Sequence, residues 1–401
     1  MAVVPTLFFA AIAASADALP PSTWVPLASL PNTGRAPVFA IAVSPIDDRV
    51  VIAGGGTGGI YRSTDGGSSW TAVLAAKSAV LAIAFSPFNP EQVLAGTQGG
   101  GGFISTDGGA KWSAAAGLDG RQVRAFAFAK SLVVAATDRG VYSSDDGSSW
   151  SSSGLTSTSI DAIAVAAVNP PVRLVAGGDS AGAGIPLYES ADAGDTWTPL
   201  TPAISGTVIT KIAAGPLPPT GNVRPIVVGT NSGLFISADN GATFTALSAG
   251  ALLPSTDYTQ IGFTAAHHDR FYVASDGGGE SGGIWATGDS GQHFSSLQPP
   301  LQSVTGLAVS ADEQPLLYVA TFRPADHQVF LWSYHDTGGA PQQPPGTAST
   351  ATGAGLHRVG ATDSDLSKLL AASQLPYIAL GAVALGLLGL AVVSQLRSRR
   401  R

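Results

Sequence analysis

The chain contains no cysteine. Disulfides, thiolate metal sites and a cysteine nucleophile are therefore excluded. Charge is scarce as well: 12% of the residues are charged, and only four are glutamate. The net charge is −7, with the basic residues scattered apart from the last few positions. A nucleic-acid partner wants a concentrated basic face, and the sequence offers none. Strong helix formers other than alanine are rare, whereas Gly (50) and Pro (27) are abundant. Such a composition suits many short strands joined by tight turns. The 401 residues are 45% apolar. That is enough to bury a large core, in two ordinary domains or one large repeat domain.

What is present in quantity is one short pattern. "STDGGSSW" (Ser63–Trp70) is followed by "STDGGAKW" (Ser105–Trp112), "SSDDGSSW" (Ser143–Trp150), "SADAGDTW" (Ser190–Trp197), "SADNGATF" (Ser237–Phe244) and "TGDSGQHF" (Thr287–Phe294). All six fit Ser/Thr-x-Asp-x-Gly-x-x-Trp/Phe. The shared aspartates are Asp65, Asp107, Asp145, Asp192, Asp239 and Asp289, spaced 38 to 50 residues apart. A period near 45 matches a four-stranded propeller blade. Each period carries an apolar strand (A), a turn, a second apolar strand (B), a Gly-rich loop, a third strand (C), the motif, and a short fourth strand (D). "VFAIAVSP", "VVIAGG", "IYRST" and "SWTAV" are the first set.

Turn chemistry accounts for every fixed position of the motif. The Asp carboxylate accepts backbone N–H groups of its own turn. The Gly two residues on supplies a positive φ at no steric cost. The aromatic anchors one sheet on its neighbour. A device repeated in every blade serves folding, because an active site needs one copy. A calcium loop would need several carboxylates and a terminal Glu, and no copy supplies them.

A seventh period follows in "VTGLAVSA", "LLYVAT" and "VFLWSYHDTGG", with Asp336 in the motif position, Tyr334 in place of Ser and no aromatic after it. "STWVPLASLP" (Ser22–Pro31) resembles "DTWTPLTP" (Asp195–Pro202), the fourth strand of blade 4. The N-terminal strand around Trp24 is thus expected to complete blade 7 and close the ring, removing its open edges. The expected fold is all-β: a seven-bladed propeller over residues 22–338, its last blade closed by the N-terminal strand.

The six motifs resemble Asp-boxes, also called BNR repeats. These occur in sialidases, sortilin-type receptors, xyloglucanase-like glycosidases and the photosystem II assembly-factor family of propellers. The resemblance implies the fold and leaves the activity open. Strands running alternately up and down put the motifs and the A–B turns at one end. The B–C and D–A loops lie at the other end, where sialidase-like propellers keep their sites. Candidates for a ligand face there are Arg35, Arg121, Arg124, Arg139, Asp161, Lys211, Asp257, Tyr258, Asp276, Glu280, Arg323 and Asp326, with Asp119, Asp138, Asp179, Asn231 and His327 on the same loops. The second position of strand A runs Phe39, Leu81, Arg124, Asp161, Thr210, Thr259, Thr305 around the ring. Arg124 and Asp161 are neighbours in it and are expected within ion-pair distance, with Lys211 one blade further on.

A sialidase resemblance would imply an arginine triad, a Tyr–Glu nucleophile pair and an acid Asp. Of the glutamates only Glu280 lies on the loop face, without a Tyr partner. "HHD" (His267–Asp269) reads as a surface turn, since three consecutive ligands close poorly round one metal. No metal, cofactor or catalytic set is expected.

The two ends point to a membrane. Val3–Ala14 is apolar and precedes small-residue cleavage sites, so residues 1–18 read as a signal peptide, although its start lacks Lys and Arg. Leu375–Leu396 is an uncharged stretch long enough to span a bilayer, and "RSRRR" follows it. Those arginines predict a cytoplasmic C-terminus and an extracytoplasmic propeller. Residues 339–372 read as a flexible Pro/Gly/Thr-rich linker. The expected role is a membrane-anchored module binding a protein, peptide or glycan, with no nucleic acid. The alternative is a glycoside hydrolase with its site on the loop face.

Overall fold

The computed structural model describes residues 22–342, apart from 32–34, 170, 180–184, 201–203, 218–222, 249, 253–255 and 278–281. Two compact units are distinguished, Met1–Ala348 and Ser349–Arg401, and every described residue belongs to the first. The leader, the linker beyond Gln342 and the 375–396 stretch lie outside the described residues. Among those described, no helix is long and apolar enough to cross a membrane.

The described chain is all-β and forms seven antiparallel sheets, one per repeat, each ordered A-B-C-D. The A strands are Ala40–Val43, Val80–Phe85, Val123–Ala129, Ile160–Ala167, Ile209–Ala214, Gln260–Phe263 and Val304–Val309. The B strands are Val51–Gly54, Val93–Thr97, Leu132–Thr137, Arg173–Gly178, Ile226–Thr230, Phe271–Ser275 and Leu316–Arg323. The C strands are Ile60–Ser63, Gly102–Ser105, Gly140–Ser144, Leu187–Ser190, Gly233–Ser237, Gly283–Thr287 and Gln328–His335. The D strands are Thr71–Leu74, Ser113–Ala115, Ser151–Ser152, Thr198–Leu200, Thr245–Leu247, Ser295–Ser296 and, for blade 7, Ser22–Pro26.

Burial explains the strand sequences. The B strands are buried almost throughout, because both faces pack on neighbouring blades. They accordingly read as unbroken runs of small and β-branched residues rather than as an alternation. The D strands of blades 2, 3 and 4 are short and mostly exposed, which blunts the outer edges of those sheets. Seven buried apolar clusters each span two adjacent blades, so the core is a set of inter-blade layers. The blades approach so closely that some B strands must carry glycine. A Cβ on Gly96 would lie 2.4 Å from Val123 O, and one on Gly229 would lie 2.3 Å from Tyr258 O.

The ring closes as expected. Trp24 pairs with Tyr334 and Pro26 with Trp332 across the antiparallel D–C ladder of blade 7. Trp24 is fully buried, packs its ring tilted against Tyr334 with centroids 4.7 Å apart, and donates its indole N–H to Leu297 O of blade 6 at 2.8 Å. Trp70 and Trp197 bond the preceding blade in the same way, at Ala28 O (2.9 Å) and Ser153 O (2.6 Å). Trp24 therefore takes the motif tryptophan's place in a turn whose two halves come from opposite ends of the chain. One expectation is corrected here. The structured region does not stop at residue 338, because Pro341–Gln342 adds a fifth strand, parallel to Ser22–Thr23.

Candidate functional site

The motif end is built for structure. In blade 1, Ser63 Oγ donates to Asp65 Oδ1 (2.7 Å) and accepts Gly67 N–H (2.8 Å), while Asp65 also accepts Ser69 N–H (2.9 Å) and Ser69 Oγ–H (2.6 Å). Asp107, Asp192, Asp239 and Asp289 repeat the arrangement. Bonds from the hydroxyl or N–H four residues on hold Asp65, Asp192 and Asp289 down at about 2.

Two members depart from the pattern. In blade 3 the working carboxylate is Asp146, not Asp145. Ser144 Oγ donates to Asp146 (3.2 Å), and Asp146 accepts Ser148 N–H (2.8 Å) and Ser148 Oγ–H (2.7 Å). Strand C runs on to Ser144, which pairs with Val133, so the turn to Trp150 is one residue shorter than in the other blades. Asp145 is left exposed. In blade 7, Asp336 is not a turn aspartate of this kind. Tyr334 brings no hydroxyl to its own turn. Asp336 accepts Gly338 N–H (3.0 Å) and turns its other oxygen to Arg270 Nη2 (2.5 Å) and Tyr272 Oη–H (2.6 Å) of blade 6. Burial is the main force raising the Tyr272 phenol well above its ordinary value, and the Asp336 charge adds to it.

At the loop end, strand A carries a β-bulge at its second position in five blades. The register slips past Leu81, Arg124, Asp161, Thr210 and Thr305. A bulge leaves one residue out of the ladder and re-aims its side chain. Here the freed side chains reach the next blade. Thr210 Oγ1 donates to Tyr258 O (2.6 Å), and Thr305 Oγ1 donates to Val38 O (2.7 Å). Arg124 Nη1 meets Asp161 Oδ1 at 2.5 Å and also donates to Ser159 Oγ, while its Nη2 donates to Gln122 Oε1 (2.9 Å). Burial nevertheless leaves the Asp161 carboxyl raised, opposed by Arg124 and helped by the charge of Asp179. Ser159 and Gln122 escaped sequence reasoning, because only the bulge brings them to Arg124.

The other candidates divide. Lys211, beside the Thr210 bulge, is half-buried with no hydrogen bond or ion pair among the described residues, and burial lowers its pKa. Asp257 is raised to about 6, first by burial and then by the charge of Asp276, itself raised by burial. Asp257 Oδ1 and the nearby Thr259 Oγ1 are buried without hydrogen-bond partners among the described residues. Such groups are costly to leave unpaired. Arg121 lies 4.0 Å from Asp138, and Arg35 and Arg139 stand exposed on their loops. Arg323 and Asp326 are already joined by two bonds of 2.9 and 2.6 Å, with Arg323 over the Phe330 ring. Tyr258 is no ligand-face residue. It is 1% exposed and packs edge-on against Trp285, in the apolar cluster shared by blades 5 and 6. Glu280 lies outside the described residues. Among the described residues no three His, Asp or Glu are grouped to hold a metal ion.

No family model matches the chain, and no curated protein matches it. Solved structures do. YCF48 from Cyanidioschyzon merolae is 17% identical, with a TM-score of 0.51 over 78% of this chain and 98% of that one. What the chain shares with it is the fold. A structure described as YCF48 bound to D1 peptide is 16% identical, with a TM-score of 0.53 over 79% of this chain and 96% of that one. U3-55K is 12% identical, with a TM-score of 0.57 over 77% and 98%. All three are far below the identity at which function could be carried across.

Proposed function

We propose that this chain is a binding or assembly module that holds a protein or peptide at the loop end of its propeller. The observation that carries the reading is the set of bulges around the channel mouth. They re-aim Arg124 and Asp161 so that the two meet, Lys211 follows the Thr210 bulge one blade on, and blade 6 carries Asp257 with the charge of Asp276 acting on it. A joined Arg124–Asp161 pair and a lysine without an ion pair among the described residues, all near the loop ends of the A strands, suit recognition of a partner's polar groups. The fold-level likeness to a YCF48 that binds a D1 peptide supports the same reading. We read the motifs as Asp-boxes and the propeller as extracytoplasmic, held to a membrane by residues 375–396.

The test is photocrosslinking from Arg139, exposed at the loop end, and from Ser151, exposed on the outer rim, in the full-length chain. A discrete adduct from position 139 that position 151 does not give, weakened by Lys211→Ala, supports the reading. Equal labelling from both positions would end it. Protease protection in sealed vesicles tests which side of the membrane the propeller occupies.

One observation favours the hydrolase alternative. Asp257, raised to about 6 beside Asp276, has the acidity of a general acid with a carboxylate neighbour. Four cavities of about 350 to 710 Å³ lined by described residues lie at the opposite end, however. Turnover of fluorogenic glycosides that is lost in Asp257→Asn would replace the binding reading with this one.

A further inference from the structure

The motif end carries a feature that turn chemistry does not explain. Four A strands finish on a large apolar residue: Val43, Phe85, Phe263 and Val309, in blades 1, 2, 6 and 7. Blades 3, 4 and 5 finish on Ala129, Ala167 and Ala214. With Pro45 and Pro87, the four large residues line a cavity of about 350 Å³ at the channel mouth. Next to the prolines stand Ile46, 72% exposed, and Phe88, 50% exposed.

The A–B turn does not demand them. Buried hydroxyls fix these turns: Ser44 Oγ accepts Ile46 N–H, Ser86 Oγ accepts Phe88 N–H, and Thr264 Oγ1 accepts Ala266 N–H in blade 6. In blade 7 the corresponding position is Asp312. Alanine and aspartate therefore serve where isoleucine and phenylalanine stand. Two large side chains held out beside an apolar recess mark a contact surface rather than a folding need.

The charge around the recess selects the occupant. Asp48, Glu91 and Asp312 have no ion pair among the described residues. Of the cations at this end of blades 1, 2, 3 and 6, Arg49 and Arg270 are offset by Asp47 and Asp336 and Arg62 is tied to Gly108 O, while the exposed Lys111 and Lys130 lie in the blade 2 motif and the A–B turn of blade 3. An acidic rim around an apolar recess repels an anionic lipid surface and complements a basic, apolar polypeptide. We propose that this end of blades 1, 2, 6 and 7 is a second docking surface, which takes a partner segment bearing a large apolar side chain flanked by Lys or Arg. The surface is independent of the loop end and of the reading proposed for it.

Fluorescence anisotropy with the full-length chain tests this, using a labelled Leu/Lys peptide and a Leu/Glu peptide of the same length. The Leu/Lys peptide is expected to bind, and to bind more weakly as salt rises. Ile46→Ser with Phe88→Ser should weaken it about tenfold, the effect of removing central apolar anchors. Asp48→Asn with Asp312→Asn should weaken it too, while Lys211→Ala at the loop end leaves it unchanged. Both substituted pairs are surface changes, so melting temperatures should stay at the wild-type value. Absence of Leu/Lys binding, equal binding of Leu/Glu, or indifference to the Ile46/Phe88 pair would each overturn the proposal. So would adsorption of the chain to phosphatidylglycerol vesicles, or self-association, abolished by that same pair.

Discussion

Trp24→Ala tests how the ring is closed. The indole is fully buried, packs against Tyr334, and satisfies Leu297 O across the blade 6–blade 7 seam. Truncating a buried Trp costs about 3–5 kcal/mol, since the cavity collapses only in part. Stranding the Leu297 carbonyl brings the loss to about 5 kcal/mol, with part of its penalty relieved by water. Each kcal/mol lowers the melting temperature of a chain this large by roughly 2 °C, so a fall of about 10 °C is expected. Trp24→Phe separates the two contributions. It keeps much of the apolar contact but loses the N–H donor, and should cost about 2 kcal/mol. Differential scanning calorimetry of the full-length chain, with limited proteolysis at the N-terminal strand, reads both variants. A Trp24→Ala protein melting within about 2 °C of wild type would refute the reasoning, because a strand contributing that little cannot be what closes the sheet.

Two further outcomes follow from the turns and the loop end. Asp146→Asn should lower stability by about 1 kcal/mol or less through the lost Ser148 bonds, whereas Asp145→Asn should change nothing measurable; urea midpoints that rank them the other way would restore Asp145 to the motif. Asp257 binds its proton more tightly folded than unfolded, so its ionisation costs stability: the cost is absent below about pH 4, grows as pH rises, and is complete above about 6. Asp257→Asn should therefore gain about 1 kcal/mol at pH 7, after discounting for its partial exposure, and nothing at pH 4; equal urea stabilities of the two proteins at both pH values would show that Asp257 is not strained.

The repeat period, the four-strand order, the ring closure through Trp24 and the proximity of Arg124 to Asp161 were all legible in the sequence. Each depends on a local pattern repeated at fixed spacing, and a closed ring leaves little freedom once the period is known. Which of Asp145 and Asp146 bonds the turn was not legible, since the choice turns on how far strand C of blade 3 runs before it bends. The diversion of Asp336 to Arg270 and Tyr272 needed the neighbouring blade in place, because those partners lie 66 and 64 residues away. Tyr258 read as a loop residue and became core for the same reason. The apolar recess between Phe85, Phe263 and Val309 is likewise invisible along the chain, where each residue simply ends an ordinary strand. Periodic hydrophobicity and turn chemistry act between near neighbours and so are written in sequence. Burial, charge pairing and the shape of a shared channel arise only when seven sheets meet around one axis.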